Sequence, residues 1–197
     1  MPIAESSGAI HRADLIFVYA GREDRKLYGL QLYAEGRAPE LLLSVGRFEI
    51  RRFGELPLPE PVDLRAIAAP VEPPLRHFFV SLSEQGRSVE RIRMSRFGTL
   101  AETQALCNWL NHRPEVRRIL IVSSRAHRLR VELCCKKLLP ATVHFHFVPV
   151  PKEISDSTAQ RQPRQQESAR YFLSEFGKLL LYRLVLLWRR FIARGAK

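Results

Sequence analysis

Three short stretches of this chain carry the residue types that hold an anion. Residues 119–130, ILIVSSRAHRLR, end an apolar run on Ser123 and Ser124 and continue with Arg125, His127, Arg128 and Arg130. Hydroxyls at the start of a helix lie beside free backbone N–H groups and the positive end of the helix dipole, which favours a negative ligand. Arg and His in the next turns add charge-assisted donors. A second stretch follows the apolar run DLIFVYA and contributes Gly21, Arg22 and Arg25; a third, near Gly98, contributes Thr99 and Glu102. Brought together, these residues are rich in donors and poor in acceptors, a set suited to phosphate, pyrophosphate or carboxylate. His127 is the residue with acid–base capacity, should the site do chemistry. Each group also has a purely structural use. Ser123 and Ser124 suit a helix N-cap, and Thr99-x-x-Glu102 has the form of a capping box.

Other chemistry finds less support. No G-x-S-x-G elbow, Walker A loop or G-x-G-x-x-G is present, which argues against a serine hydrolase of that type and a P-loop ATPase. His144 and His146 share one face of a strand, but no third metal ligand stands near them, and Val143, Phe145 and Phe147 account for the alternation as packing; no metal site is expected. Cys107, Cys134 and Cys135 are an odd count without CxxC spacing, which fits a reducing compartment and thiols used as core.

The elements that must position the site follow from periodicity. Residues 1–12 read as a flexible N-terminal tail. Asp14–Ala20 is an apolar strand, 22–35 a helix ended at Gly36, and Glu40–Val45 a second strand. Together they make a βαβ unit, which predicts parallel pairing. The Pro-rich stretch 46–76 reads as a connector holding one short helix. From His77 to Met94 apolar and polar residues alternate about Gln85-Gly86, the pattern of a β-hairpin. A helix from Thr99 to Asn111, the strand at Ile119, its helix to Pro140 and a strand over Thr142–Val148 complete residues 13–150. The expected fold class is α/β: a single Rossmann-like three-layer domain with a mostly parallel sheet, and a C-terminal amphipathic, hydrophobic helix in addition. Residues 151–166, rich in Pro, Gln and Ser, read as a polar linker.

Net charge is +12, and nine Lys and Arg against two Glu between residues 161 and 197 place +7 of it in that tail. Residues 167–197 read as a helix, apolar all round from Leu179 to Trp188 except at Arg183. That core is shorter than the roughly 20 residues that span a bilayer. It suits a helix lying at an anionic membrane surface, with Tyr182 and Trp188 at headgroup depth and Lys178, Arg183, Arg189 and Arg190 reaching lipid phosphates. Packing on the domain, or on a second subunit, is the alternative. Nucleic acid is a poorer partner, since the basic excess sits on an apolar helix without stacking residues on a sheet face. With no secretory signal pattern at the N-terminus, a cytoplasmic protein peripheral to the inner membrane face is expected.

DLIFVYAGREDRKLYGLQLYAEGRAPELLLSVG, RFGTLAETQAL and IVSSRAHRLRVELCC together resemble the ElyC/SanA/YdcF family of bacterial envelope-related proteins, over roughly residues 13–150. The last is similar to the family's strand-Ser-x-x-His-x-x-Arg signature and carries its roles to Ser124, His127 and Arg130. The first points to Gly21 and Arg25, the second to Thr99 and Glu102. Glu175, Lys178, Leu179 and Tyr182 resemble a C-terminal element of some members. Here Gly98 stands for the family's usual Asn, the stretch after Ser44 lacks its glycine-rich continuation, and the N-terminal transmembrane helix that members often carry is not expected. The resemblance implies an anionic small-molecule or lipid-linked ligand in cell-envelope metabolism. For one branch it implies S-adenosylmethionine as cofactor. A non-catalytic, membrane-docked scaffold is the third reading.

Overall fold

The computed structural model describes residues 12–59, 61–94 and 98–159, and beyond them Gly177, Leu181 and Arg183. β1 (Leu15–Val18), α1 (Glu23–Ala34) and β2 (Glu40–Gly46) come first; α2 (Ile50–Phe53), α3 (Leu64–Ala68) and a 3-10 turn at Pro73–Leu75 lead to β3 (His77–Ser83) and β4 (Gly86–Arg91). α4 (Gly98–Leu110), β5 (Arg118–Ser123), a 3-10 turn at Arg125–His127, α5 (Arg128–Leu138), β6 (His144–Pro149) and α6 (Lys152–Ala159) follow.

The strands form one sheet in the order β4-β3-β2-β1-β5-β6. Alternation along the apolar runs explains its two covered faces, since successive side chains point to opposite sides. Ile16, Val18, Leu41, Leu43, Leu120 and Val122 pack on one face with Leu30 and Leu32 of α1, Ile50 and Phe53 of α2 and Leu64 of α3. Leu15, Phe17, Tyr19, Leu42, Ile119 and Ile121 pack on the other with Leu106 and Leu110 of α4 and Val131 and Cys135 of α5. Each such side chain contributes about 1.5–3 kcal/mol when fully buried. Three layers result. α1 starts with Glu23 and Asp24 in its first turn, favourable to the dipole. It stops at Gly36 (φ 69°), where the Arg37 N–H returns to the Leu32 carbonyl at 3.0 Å.

Several expectations need correction. The sheet is mixed: β1 pairs parallel with β2 and β5, and β5 with β6, but β2–β3 and β3–β4 are antiparallel. The 77–94 hairpin does form, and it adds both its strands to the free edge of β2. Its turn residues are Glu84 and Gln85, with Gly86 (φ 115°) opening β4. The connector 46–76 holds two short helices rather than one. Within the expected linker 151–166, Lys152–Ala159 form α6, tied to α1 by the Ser155 hydroxyl donating to Asp24 Oδ2 at 3.0 Å. Most of the N-terminal tail and of residues 167–197 lies outside the described residues, Lys178, Tyr182, Trp188, Arg189 and Arg190 included; Arg183 is helical and exposed. No helix among the described residues is long and apolar enough to cross a membrane.

Candidate functional site

The chain leaves β1 for α1 on one face of the sheet and leaves β5 for α5 on the other. Departure to opposite faces opens a crevice at the carboxyl ends of these neighbouring strands, the place where open α/β sheets bind ligands. Six of the residues singled out from sequence meet there and close a ring of contacts.

The Arg25 guanidinium, 5% exposed, donates to the Ala20 carbonyl at 2.6 Å and to Ser124 Oγ at 3.0 Å. Three residues past Ser124 is His127, whose Nδ1 lies 2.9 Å from Arg130 Nη2; Arg130 Nε donates to Thr99 Oγ1 at 3.1 Å. One turn along α4, Glu102 Oε1 accepts from the Ala20 N–H at 3.0 Å, which returns the ring to the peptide that Arg25 holds. Gly21 permits this closure. Its φ is 136°, and a Cβ there would stand 2.7 Å from Arg25 Nη1.

The Arg130 contact also fixes the state of His127. A guanidinium only donates, so Nδ1 must accept and the ring proton sits on Nε2.

Two expected structural uses are not what the residues do. Glu102 is not the return half of a capping box: its carboxylate is turned to the sheet, accepting from Ser44 Oγ at 2.6 Å with His77 Nε2 at 3.4 Å. Ser124 precedes the 3-10 turn but makes no side-chain cap bond. Ser123 is fully buried at the end of β5, and its Oγ has no hydrogen-bond partner among the described residues. Arg22 is not part of the ring. It pairs with Asp24 at 3.4 Å and donates to the Ser155 carbonyl at 3.3 Å, on the α6 side.

Ser44 and His77, which sequence reasoning missed, complete a buried polar cluster with Glu102. Ser44 Oγ and His77 Nε2 are 2.8 Å apart. All three bond at the same atoms rather than in a relay, and all are 9% exposed or less, so the cluster is a brace and not a nucleophile with its base. Burial alone would raise the Glu102 carboxyl. The hydrogen bond and charge of His77, the Ser44 hydroxyl and the Ala20 N–H outweigh it and hold the group below its ordinary value. The signal in the sequence was Ser44 itself, one hydroxyl inside the apolar run ELLLSV. Beside the brace, burial pushes the Tyr19 phenol well up, and its OH lies 2.7 Å from Thr103 Oγ1. Burial likewise pushes the Cys134 and Cys135 thiols up to about 12, so they are unreactive core residues.

Among the described residues no group of three or more His, Cys, Asp or Glu is placed to hold a metal; His144 and His146 are both exposed on one face of β6. A cleft of about 570 Å³ lies elsewhere, between β4 and α4, lined by Ile92, Met94, Leu100, Ala105 and Trp109 with Arg91 and Arg93 at its rim. Gln104, Asn108, His112 and Arg113 also line it, but their hydrogen bonds run along α4 or to Glu40, whereas the polar groups of the β1–β5 crevice come from three separate strand-to-helix junctions. The crevice is therefore the candidate. Protein-family models, curated proteins and solved structures give no match to this chain.

Proposed function

We propose that the β1–β5 crevice binds an anionic ligand bearing a phosphate or pyrophosphate group, and that the protein is of the ElyC/SanA/YdcF type, acting in cell-envelope biogenesis at the inner face of the membrane. The observation that carries the ligand class is the ring itself. Arg25 and Arg130 are held by Ala20, Ser124, His127 and Thr99 in one crevice, while the carboxylate of this set, Glu102, spends its Oε1 on Ala20 and Ser44. The polar groups that line the crevice are mostly donors: the Arg25 and Arg130 guanidinium groups, the Ser124 hydroxyl and the His127 ring. Such a set prefers an acceptor-only group and selects against an amine. The family reading rests on the sequence motifs alone. On it, the parallel half β2-β1-β5-β6 is the Rossmann-like part and the hairpin an addition at one edge.

S-adenosylmethionine fits less well. An acidic residue does stand near the end of β2, where ribose hydroxyls are bound in dinucleotide folds. It is Glu49, and its carboxylate is taken by Gly21, Gly46 and Lys26. A scaffold without a ligand is the remaining alternative.

Calorimetric titration of the full chain with inorganic phosphate, pyrophosphate and S-adenosylmethionine tests the reading. Phosphate or pyrophosphate should bind, and Arg130→Ala should weaken binding about tenfold or more, a loss of roughly 1.4 kcal/mol. Unchanged affinity in that variant, or binding of S-adenosylmethionine alone, overturns it. Flotation with anionic vesicles checks the membrane part: deletion of residues 167–197 should release the protein.

A further inference from the structure

Lys26 is 2% exposed. An ammonium so deeply buried needs an anion beside it, and among the described residues its charged partner is Glu49. The same carboxylate does more. Glu49 Oε1 accepts from the Gly21 N–H at 2.9 Å and from the Gly46 N–H at 3.1 Å, while Oε2 takes the Lys26 ammonium. Donors from the end of β1, the end of β2 and the first turns of α1 thus converge on one carboxylate. They do so at the carboxyl ends of two parallel strands, where such sheets receive ligand anions. Both backbone donors belong to glycine, and a Cβ at Gly46 would stand 3.1 Å from Oε1.

The two halves of this contact are unequally anchored. Lys26 and the two N–H groups belong to the sheet and α1. Glu49 hangs on the short loop after β2, half-buried, following Arg47 and Phe48, which are exposed; Phe48 is 81% exposed. A built set of donors therefore faces an acceptor carried on a surface loop.

We infer that Gly21 N–H, Gly46 N–H and Lys26 form an anion site separate from that of Arg25 and Arg130, that Glu49 is its resident occupant, and that a small carboxylate or phosphate group takes the place of Glu49. The site asks for acceptor oxygens only, and one ammonium balances one negative charge. Its donors are distinct from those of the crevice, so it stands or falls independently of the proposed function.

The test follows the amide resonances of Gly21 and Gly46 in isotope-labelled full-length protein titrated with inorganic phosphate and, separately, acetate. In Glu49→Gln either anion should move both resonances in a saturable way, roughly tenfold tighter than in the unaltered protein. Adding Lys26→Met should abolish the gain; adding Arg130→Ala should leave it. A folded Glu49→Gln protein whose two glycine amides ignore both anions overturns the inference, as does a gain that survives Lys26→Met. If Glu49→Gln does not fold, Glu49→Asp serves. Its shorter carboxylate reaches the donors poorly, so a smaller gain is expected, and no gain overturns the inference equally.

Discussion

Two neighbouring crevices open at the carboxyl end of the sheet, and the chain finishes them in opposite ways. Between β1 and β2 the donors are filled by a carboxylate of the chain itself, Glu49 on Gly21, Gly46 and Lys26. Between β1 and β5 the contacts run among Arg25, Ser124, His127, Arg130 and Thr99, and donors outnumber acceptors. Topology explains the contrast. The chain leaves β1 and β2 toward the same face, where α1, α2 and α3 pack, so a loop residue can fold back over the gap. It leaves β1 and β5 toward opposite faces, so the polar groups at the two strand ends meet one another across the gap. Complementing an anion site from within stabilises the fold; leaving one donor-rich reserves it for something else.

The largest effect should come from unbalancing the filled crevice. Glu49→Leu leaves Lys26 buried without its counter-charge and should cost about 3 kcal/mol or more in urea unfolding. Glu49→Leu with Lys26→Met should return to within about 1 kcal/mol of the parent. If the single and double variants are equally unstable, the pair is not what holds that crevice.

The next effect bears on Ala20, the peptide gripped by Arg25 from one side and Glu102 from the other. Glu102→Gln should destabilise by about 2 kcal/mol near neutral pH. Because the folded Glu102 carboxyl titrates below its ordinary value, its ionised form favours the folded state. That contribution is present above the unfolded value, about 4.3, and is lost as pH falls through the folded one. The parent should therefore lose more stability than Glu102→Gln on acidification through that window, and parallel curves would refute the assignment. The smallest effect marks the limit of the open crevice. Arg22→Ala should change phosphate affinity by less than about twofold and stability by under about 0.5 kcal/mol, since Arg22 belongs to the exposed α6 side.

Where periodicity and spacing carried information, the sequence was readable. DLIFVYA, ELLLSV and ILIV are apolar because both faces of β1, β2 and β5 are covered, and the alternation from His77 to Met94 marks a hairpin wherever it docks. Its choice of the β2 edge is a pairing decision that alternation does not encode, and so the sheet came out mixed. KEISDSTA looks like linker by composition; its helix rests on α1 through Ser155 and Asp24, with Ile154 as its apolar contact to the core. Within the site, Arg25, Thr99, Glu102, Ser124, His127 and Arg130 were visible as polar groups where apolar runs end. Arg22 was visible for the same reason, but it turns to Asp24 and Ser155, since adjacency in sequence does not say which side a guanidinium takes. Glu49 was hidden among Arg47, Arg51 and Arg52 in a Pro-rich stretch that reads as a basic surface. Lys26 sits in a helix where lysine is ordinarily solvated, and nothing local marks it as buried.

The strand order has a further consequence, for the timing of assembly. β1, β2 and the hairpin are met in sequence and pair with neighbours along the chain, whereas β5 must return to β1, setting Leu15 against Ile119 and Val18 against Val122. Contacts so far apart in sequence pay their loop-closure entropy before they gain any pairing, and tend to form late. The β1–β5 crevice is made by that last closure. A ligand seated there would bind only a chain in which β5 has reached β1, and would draw the population toward that paired state by mass action.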